Sequence, residues 1–273
     1  MNDSQSLSPT SRLEALLDAA DRGDASVAPQ LVALIDEADF TPQQRMALGE
    51  ALGQLGDPRL CSPDDAAYWV TVDLGDDHQL QVSRNMVTTT EWLAFLDSEA
   101  YSSDANWTEE GLTWRDSARP TWTQLASAAE SRSLVIPNQP VVGVSWYEAM
   151  AYASAHSARL IEFDERVRIT RGAGKRPYPW GAPFGQANAN TREEVLGKPV
   201  AVGVFPSDRT PEGVNDLAGN VGEWTVDVVG DRRVIHPGSW EQPSMAAWAK
   251  ALHIVSPAAR TADLGFRLVR DLE

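Results

Sequence analysis

The residues NDLAGNVGEW, 215–224, put the carboxylates of Asp216 and Glu223, two glycines and Trp224 closer together than a regular strand allows, on a spacing that fits no helix. So compact a turn can hold a metal, hold the fold or prepare a reaction; without a metal, Asx-type hydrogen bonds would close it. Other groups with redox or acid-base chemistry are sparse. The histidines are His78, His156, His236 and His253, and none forms an HxxxH or HxE pair. His236, His253 and a carboxylate such as Glu241 could form a facial triad for iron only if the fold assembled them, and scattered histidines are more often surface or core residues. Cys61 is the single cysteine, which excludes an internal disulfide and any multi-cysteine metal site. Nothing beside it in sequence would lower its pKa, so it reads as a small linker residue rather than a reactive thiol.

The elements that position these groups fall into two textures. In residues 9–56, Leu13, Leu16, Leu17 and Ala20 recur at helical spacing up to Gly23, and Val27, Leu31, Leu34 and Ile35 predict a second helix. A third opens with Thr41 as N-cap and Pro42 at its first position, buries Met46, Leu48, Leu52 and Leu55, and stops at Gly56-Asp57-Pro58. This small all-helical segment, residues 1–60, resembles the last unit of a HEAT-type repeat, a plain helical appendage being the other reading.

After CSPDD, tryptophans become frequent and Gly, Pro, Asn and Asp punctuate the chain, so residues 64–273 read as one loop-rich domain. Two helices stand out there, each with a capping box: Thr88 with Glu91 ahead of EWLAFLDSEAY, and Ser145 with Glu148 ahead of WYEAMAYASAHSA. Their core faces carry Trp92 with Phe95, and Met150 with Tyr152. Residues 101–139, around Trp107, Trp114 and Trp122, give mostly turn and polar signals, and so long a loop in a compact domain is functional or flexible.

Several blocks in order, PVVGVSWYEAMAYASAHSARL, RGAGKRPYPWG, VGVFPSDRTPEGVNDLAGNVGEWTVD, RRVIHPGSW and DLGFRLVR, resemble the formylglycine-generating-enzyme (sulfatase-modifying factor) family over roughly residues 66–273. The resemblance implies an α+β, C-type lectin-like fold in which short strands and two helices support irregular loops. It also implies structural calcium at the DLAGNVGEW block, with side-chain oxygens from Asp216 and Glu223 and backbone carbonyls from Gly219 and Val221. A hard cation suits such an oxygen set on a tight loop. A second family calcium site begins at a residue matching Asn190, for which no acidic partner stands out. Departures accompany the match: Gly222 and Arg166 stand where the family usually has tryptophan, and Ile161, Glu162 and Phe163 replace its Pro-Thr-Glu helix opening, while Glu165, Arg171 and Gly172 keep the pattern.

The family's reaction uses two cysteines that hold copper, and these positions fall near Gln242 and Ala247, so that chemistry is expected to be lost. Iron-dependent relatives draw histidines partly from an added helical-bundle domain. Residues 237–256, PGSWEQPSMAAWAKALHIVS, occupy the family's groove and offer Trp240, Gln242, Met245, Trp248 and His253 as ligand contacts; Trp240, inside a signature block, reads first as core. A formal charge of −16 argues against nucleic acid and against an anionic membrane surface as partners. The N-terminus has no signal-peptide pattern and no apolar run spans a bilayer, so a cytoplasmic protein is expected. The function expected is a catalytically altered relative that binds a protein, peptide or small-molecule ligand. The alternatives are an iron or copper oxidoreductase on the same scaffold, or a retroelement-diversified binding protein.

Overall fold

A computed structural model describes residues 8–37, 40–75, 78–117 and 119–272. Three helices come first: α1 (Pro9–Asp21), α2 (Ala28–Ala33) and α3 (Pro42–Leu55). Thr41 and Gln44 close a reciprocal capping box on α3, which satisfies two of its orphan amides. The second helix is shorter than its apolar spacing predicts, because a 3-10 turn at Ala25–Val27 replaces its start and Ile35 is buried beyond its end. Met46 and Leu55 are only partly buried, whereas Leu13, Leu31, Leu48 and Leu52 are fully enclosed.

These helices do not close a core by themselves. Val200, Ala201, Val204 and Phe205 of the second segment complete it. Polar ties follow the same seam: Arg45 donates to the Val204 carbonyl at 3.2 Å, Asn138 to the Gly49 carbonyl at 2.9 Å, and Arg59 to the Val202 carbonyl at 2.8 Å. Each leucine so buried contributes about 1.5–3 kcal/mol.

Strands β1 (Trp69–Asp73) and β2 (Gln79–Ser83) form an antiparallel hairpin, followed by helix α4 (Thr89–Leu96). The stretch 101–139 is more ordered than its turn-rich composition predicts. It carries the end of α5 (Glu99–Ser102), then α6 (Glu109–Arg115) and α7 (Trp122–Ala126), each short. Its tryptophans act as anchors: Trp107, Trp114 and Trp122 are buried, and the Trp122 indole donates to the Val142 carbonyl at 2.8 Å. Aromatic burial therefore orders a segment whose local propensity is weak.

Helix α8 (Trp146–Ala155) opens on the Ser145–Glu148 capping box, and β3 (Arg159–Leu160) leads into α9 (Phe163–Arg171), whose cap is now Glu162 paired with Glu165. The chain ends in β4 (Gly222–Val229), β5 (Arg232–His236), β6 (His253–Val255), β7 (Leu264–Gly265) and β8 (Leu268–Asp271). Two four-stranded sheets result, ordered β1-β2-β8-β3 and β6-β5-β4-β7. Strand β8 pairs with β2, so the two ends of the second segment meet in one sheet. Among the described residues no helix is long and apolar enough to cross a membrane.

Candidate functional site

The NDLAGNVGEW turn is built by left-handed backbone and by protein donors. Asp216 and Asn220 take positive φ, 56° and 67°, a conformation that Asn and Asp tolerate better than most residues. A Cβ on Gly219 would lie 2.6 Å from the Asn190 carbonyl, which explains the glycine. Asp208 clamps the loop, its two carboxylate oxygens accepting from the Ala218 and Gly219 amides at 2.8 and 2.9 Å. Burial, then the charge of Asp216, pushes the Asp208 carboxyl up to about 7.

Glu223 is fully buried between two arginines. Arg267 donates through Nε to Oε2 at 2.7 Å and through Nη2 to Oε1 at 3.2 Å, and Arg166 donates to Oε1 at 3.0 Å. Burial alone would raise this carboxyl, but the two guanidiniums outweigh it and hold it at about 2. Asp216 gives one oxygen to the Gly203 amide, at 2.8 Å, and keeps the other without a partner. The Gly219 carbonyl accepts from the Val221 amide at 2.9 Å. The expected calcium set of Asp216, Gly219, Val221 and Glu223 thus lies along one turn, but the charge of Glu223 is already compensated. These residues do not fit calcium there, because arginine supplies the positive charge.

A better donor set lies where no acidic partner stood out in sequence. Asn190 Oδ1, Thr191 Oγ1 and Glu194 Oε2 are buried and have no hydrogen-bond partner. Glu194 uses its other oxygen on the Ala187 amide at 2.9 Å, and burial raises its carboxyl. Among the described residues no basic side chain pairs with it. Three unfilled oxygens in one turn of chain are the chemistry a hard cation fits.

The same turn pins the groove loop. Arg192 donates its amide to the Gln242 carbonyl at 3.0 Å and its Nε to the Glu241 carbonyl at 2.8 Å, while Glu193 accepts from the Ser244 amide at 2.8 Å. Gly238 packs so closely that a Cβ would lie 2.2 Å from the Ala218 carbonyl. Trp240, which its signature block predicts as core, is partly buried: it lies against the cluster of Met86, Val142 and Val221 and donates its indole to the Ala262 carbonyl at 3.2 Å. Held this way, the loop projects Met245, 77% exposed, and Trp248, 46% exposed, from a 3-10 turn at Ser244–Ala247. Gln242 and His253 line a small cleft of about 170 Å³ with Thr261 and Asp263, at the position expected for the family's first cysteine.

The iron candidates are not brought together. His236 is fully buried; its Nδ1 accepts from the Gly238 amide at 3.2 Å and its Nε2 faces the Trp248 carbonyl at 3.1 Å. Burial, reinforced by Arg166, lowers its pKa well below the usual range, so it is neutral, with Nε2–H donated to Trp248 and no lone pair left for a metal. His253 is exposed on the next strand, opposite Ile235, and Glu241 is exposed with only its carbonyl engaged. Among the described residues, His78, Glu165 and Asp271 alone converge as three metal-type ligands, and Arg159 already bridges Glu165 and Asp271, at 2.6 Å to each.

The chain is 29% identical over 235 residues to the hercynine oxygenase of Mycolicibacterium thermoresistibile, which covers 71% of this chain and 51% of that one. It thus spans about half the length of the relative. It is 30% identical over 175 residues to the inactive C-alpha-formylglycine-generating enzyme 2 of Bos taurus, covering 57% of this chain and 58% of that one. In fold it is similar to PvdO from Pseudomonas aeruginosa, with a TM-score of 0.53 at 22% identity over 75% of this chain and 91% of the other. Treponema denticola variable protein 1 gives the same TM-score at 16% identity over 75% and 95%. With residues 71–272 matching the sulfatase-modifying factor enzyme 1-like domain, and with one cysteine, Cys61, in the whole chain, the protein belongs to that family and lacks the cysteine pair of its formylglycine-generating members.

Proposed function

We propose that the chain is a binding member of this family, recognising a protein or peptide segment through the loop 237–256 without cysteine-copper chemistry. The observation that carries this reading is the exposure of Met245 and Trp248 on a loop whose backbone is pinned by Arg192, Glu193 and His236. Ordering cost is thereby met before binding, and an aromatic anchor on a rigid turn is the pattern of interface hot spots. The adjoining cleft of about 170 Å³ is smaller than common small-molecule sites and suits one inserted side chain. Calcium at Asn190, Thr191 and Glu194 would brace the turn that holds this loop, a structural role with no part in chemistry.

The test is selection of peptide binders on the immobilised chain, followed by Trp248→Ala. Loss of at least about tenfold in affinity with an unchanged urea midpoint supports the reading. The oxidoreductase alternative draws on the likeness to hercynine oxygenases over half their length. Iron or copper near one equivalent in protein purified without chelators, lost in His253→Ala, would establish that alternative instead. The diversified-binder alternative draws on shared fold alone.

A further inference from the structure

A second concavity lies away from the groove and shares no residue with loop 237–256. It is a cavity of about 470 Å³ between the linker Leu60–Pro63 and helices α4 and α8, a volume within the range of small-molecule sites. Its walls are mostly apolar, with Phe95 and Tyr152 presenting rings whose centroids lie 5.1 Å apart. Cys61 of the linker lies in the same wall.

One charged group interrupts this lining. Glu91 spends Oε2 on the α4 cap, accepting from the Thr88 amide at 2.8 Å and hydroxyl at 2.5 Å. Its Oε1 is shut off from solvent, with the buried Tyr68 hydroxyl as its one neighbouring donor. No lysine or arginine lines the cavity, and His156, whose pKa burial lowers, brings no standing positive charge. Asp64 and Asp65 flank the linker and add to the negative field. Arg84 and Arg270 act on Cys61 and His156 from outside the lining. A carboxylate with no basic partner in the wall, beside two aromatic rings, is complementary to a cation with an apolar body.

We propose that this cavity binds a small apolar organic cation, its charge beside Glu91 and its body against Phe95 and Tyr152. The ligand would touch both the linker and the lectin-like segment.

Because Cys61 is the only thiol, its alkylation reads the cavity directly in the full chain. The rate of modification by N-ethylmaleimide is measured against rising benzyltrimethylammonium, with 2-phenylethanol as the uncharged comparator, and binding is followed in parallel by calorimetry. The expected result is saturable protection by the cation, weaker protection by the alcohol, and an apparent Kd about tenfold higher in Glu91→Gln, where glutamine keeps the helix cap. Ala94→Phe, a substitution in the exposed part of the wall, should abolish protection while leaving the unfolding temperature unchanged. Equal protection by both compounds, cation protection undiminished in Glu91→Gln, calorimetric binding without protection, or neither protection nor binding would each overturn the proposal.

Discussion

Arg267 and Glu223 meet through a two-point contact, 2.7 Å from Nε to Oε2 and 3.2 Å from Nη2 to Oε1, with both side chains fully buried. Removing one partner of such a pair strands the other charge in a medium that cannot solvate it. Arg267→Met is therefore expected to cost about 3–5 kcal/mol in urea unfolding. Arg267 also donates to the Asn215 carbonyl, at 2.9 Å, so loosening of the NDLAGNVGEW turn should accompany the loss and appear as faster amide exchange there.

Calcium affinity is expected to follow Glu194 rather than Asp216. In calorimetric titration of chelator-treated protein, Glu194→Gln should weaken calcium binding about tenfold or more, because it removes the carboxylate of the unfilled oxygen set. Asp216→Asn should leave the affinity unchanged, since asparagine accepts the same left-handed backbone. The reverse order of effects would return the ion to the DLAGNVGEW block.

The seam between the helical segment and residues 200–205 predicts a shared transition. Leu52→Ala, at a fully buried position, is expected to lose about 2–5 kcal/mol. Helix α3 and the lectin-like sheets should melt together, with far-ultraviolet and tryptophan signals coinciding. Deleting residues 1–57 should leave a remainder that exposes Val200 and Phe205 and aggregates, whereas a soluble, cooperatively folding remainder would contradict the shared core.

Stability should also carry a signature of Glu91. Burial raises its carboxyl in the folded chain to about 6, from an ordinary 4.5, so the folded state holds its proton more tightly than the unfolded one. The resulting stabilisation is complete below about pH 4.5 and is lost as pH rises through 6. Across that window wild type should lose about 1–2 kcal/mol relative to Glu91→Gln, in which nothing titrates at this position. Parallel pH profiles of the two proteins would show that Glu91 is not the group responsible.

Local signals were legible in sequence, and long-range ones were not. The capping boxes at Thr41, Thr88 and Ser145 could be read because each is complete within a few residues. The ordered family blocks conveyed the lectin-like fold, as Trp240 docking on Met86 and Val221 illustrates. The fate of Glu223 could not be read, because its partners Arg166 and Arg267 lie 57 and 44 residues away and looked like a departure from the family and part of a terminal signature. Glu194 was hidden among exposed-looking charges, its burial set only by the turn that closes over it. The cavity beside Cys61 draws its walls from three separated stretches, so no window of sequence contains it. The short helices of 101–139 escaped because each is held by one tryptophan rather than by periodicity.

The pairing of Arg45 with the Val204 carbonyl spans 159 residues of chain. On a ribosome adding about 5–20 residues each second, the leading helices would emerge roughly ten to thirty seconds before the segment that seals them. For that interval Leu31, Leu48 and Leu52 have no permanent cover, so the nascent chain, rather than the finished protein, is where this fold is most exposed to misassociation.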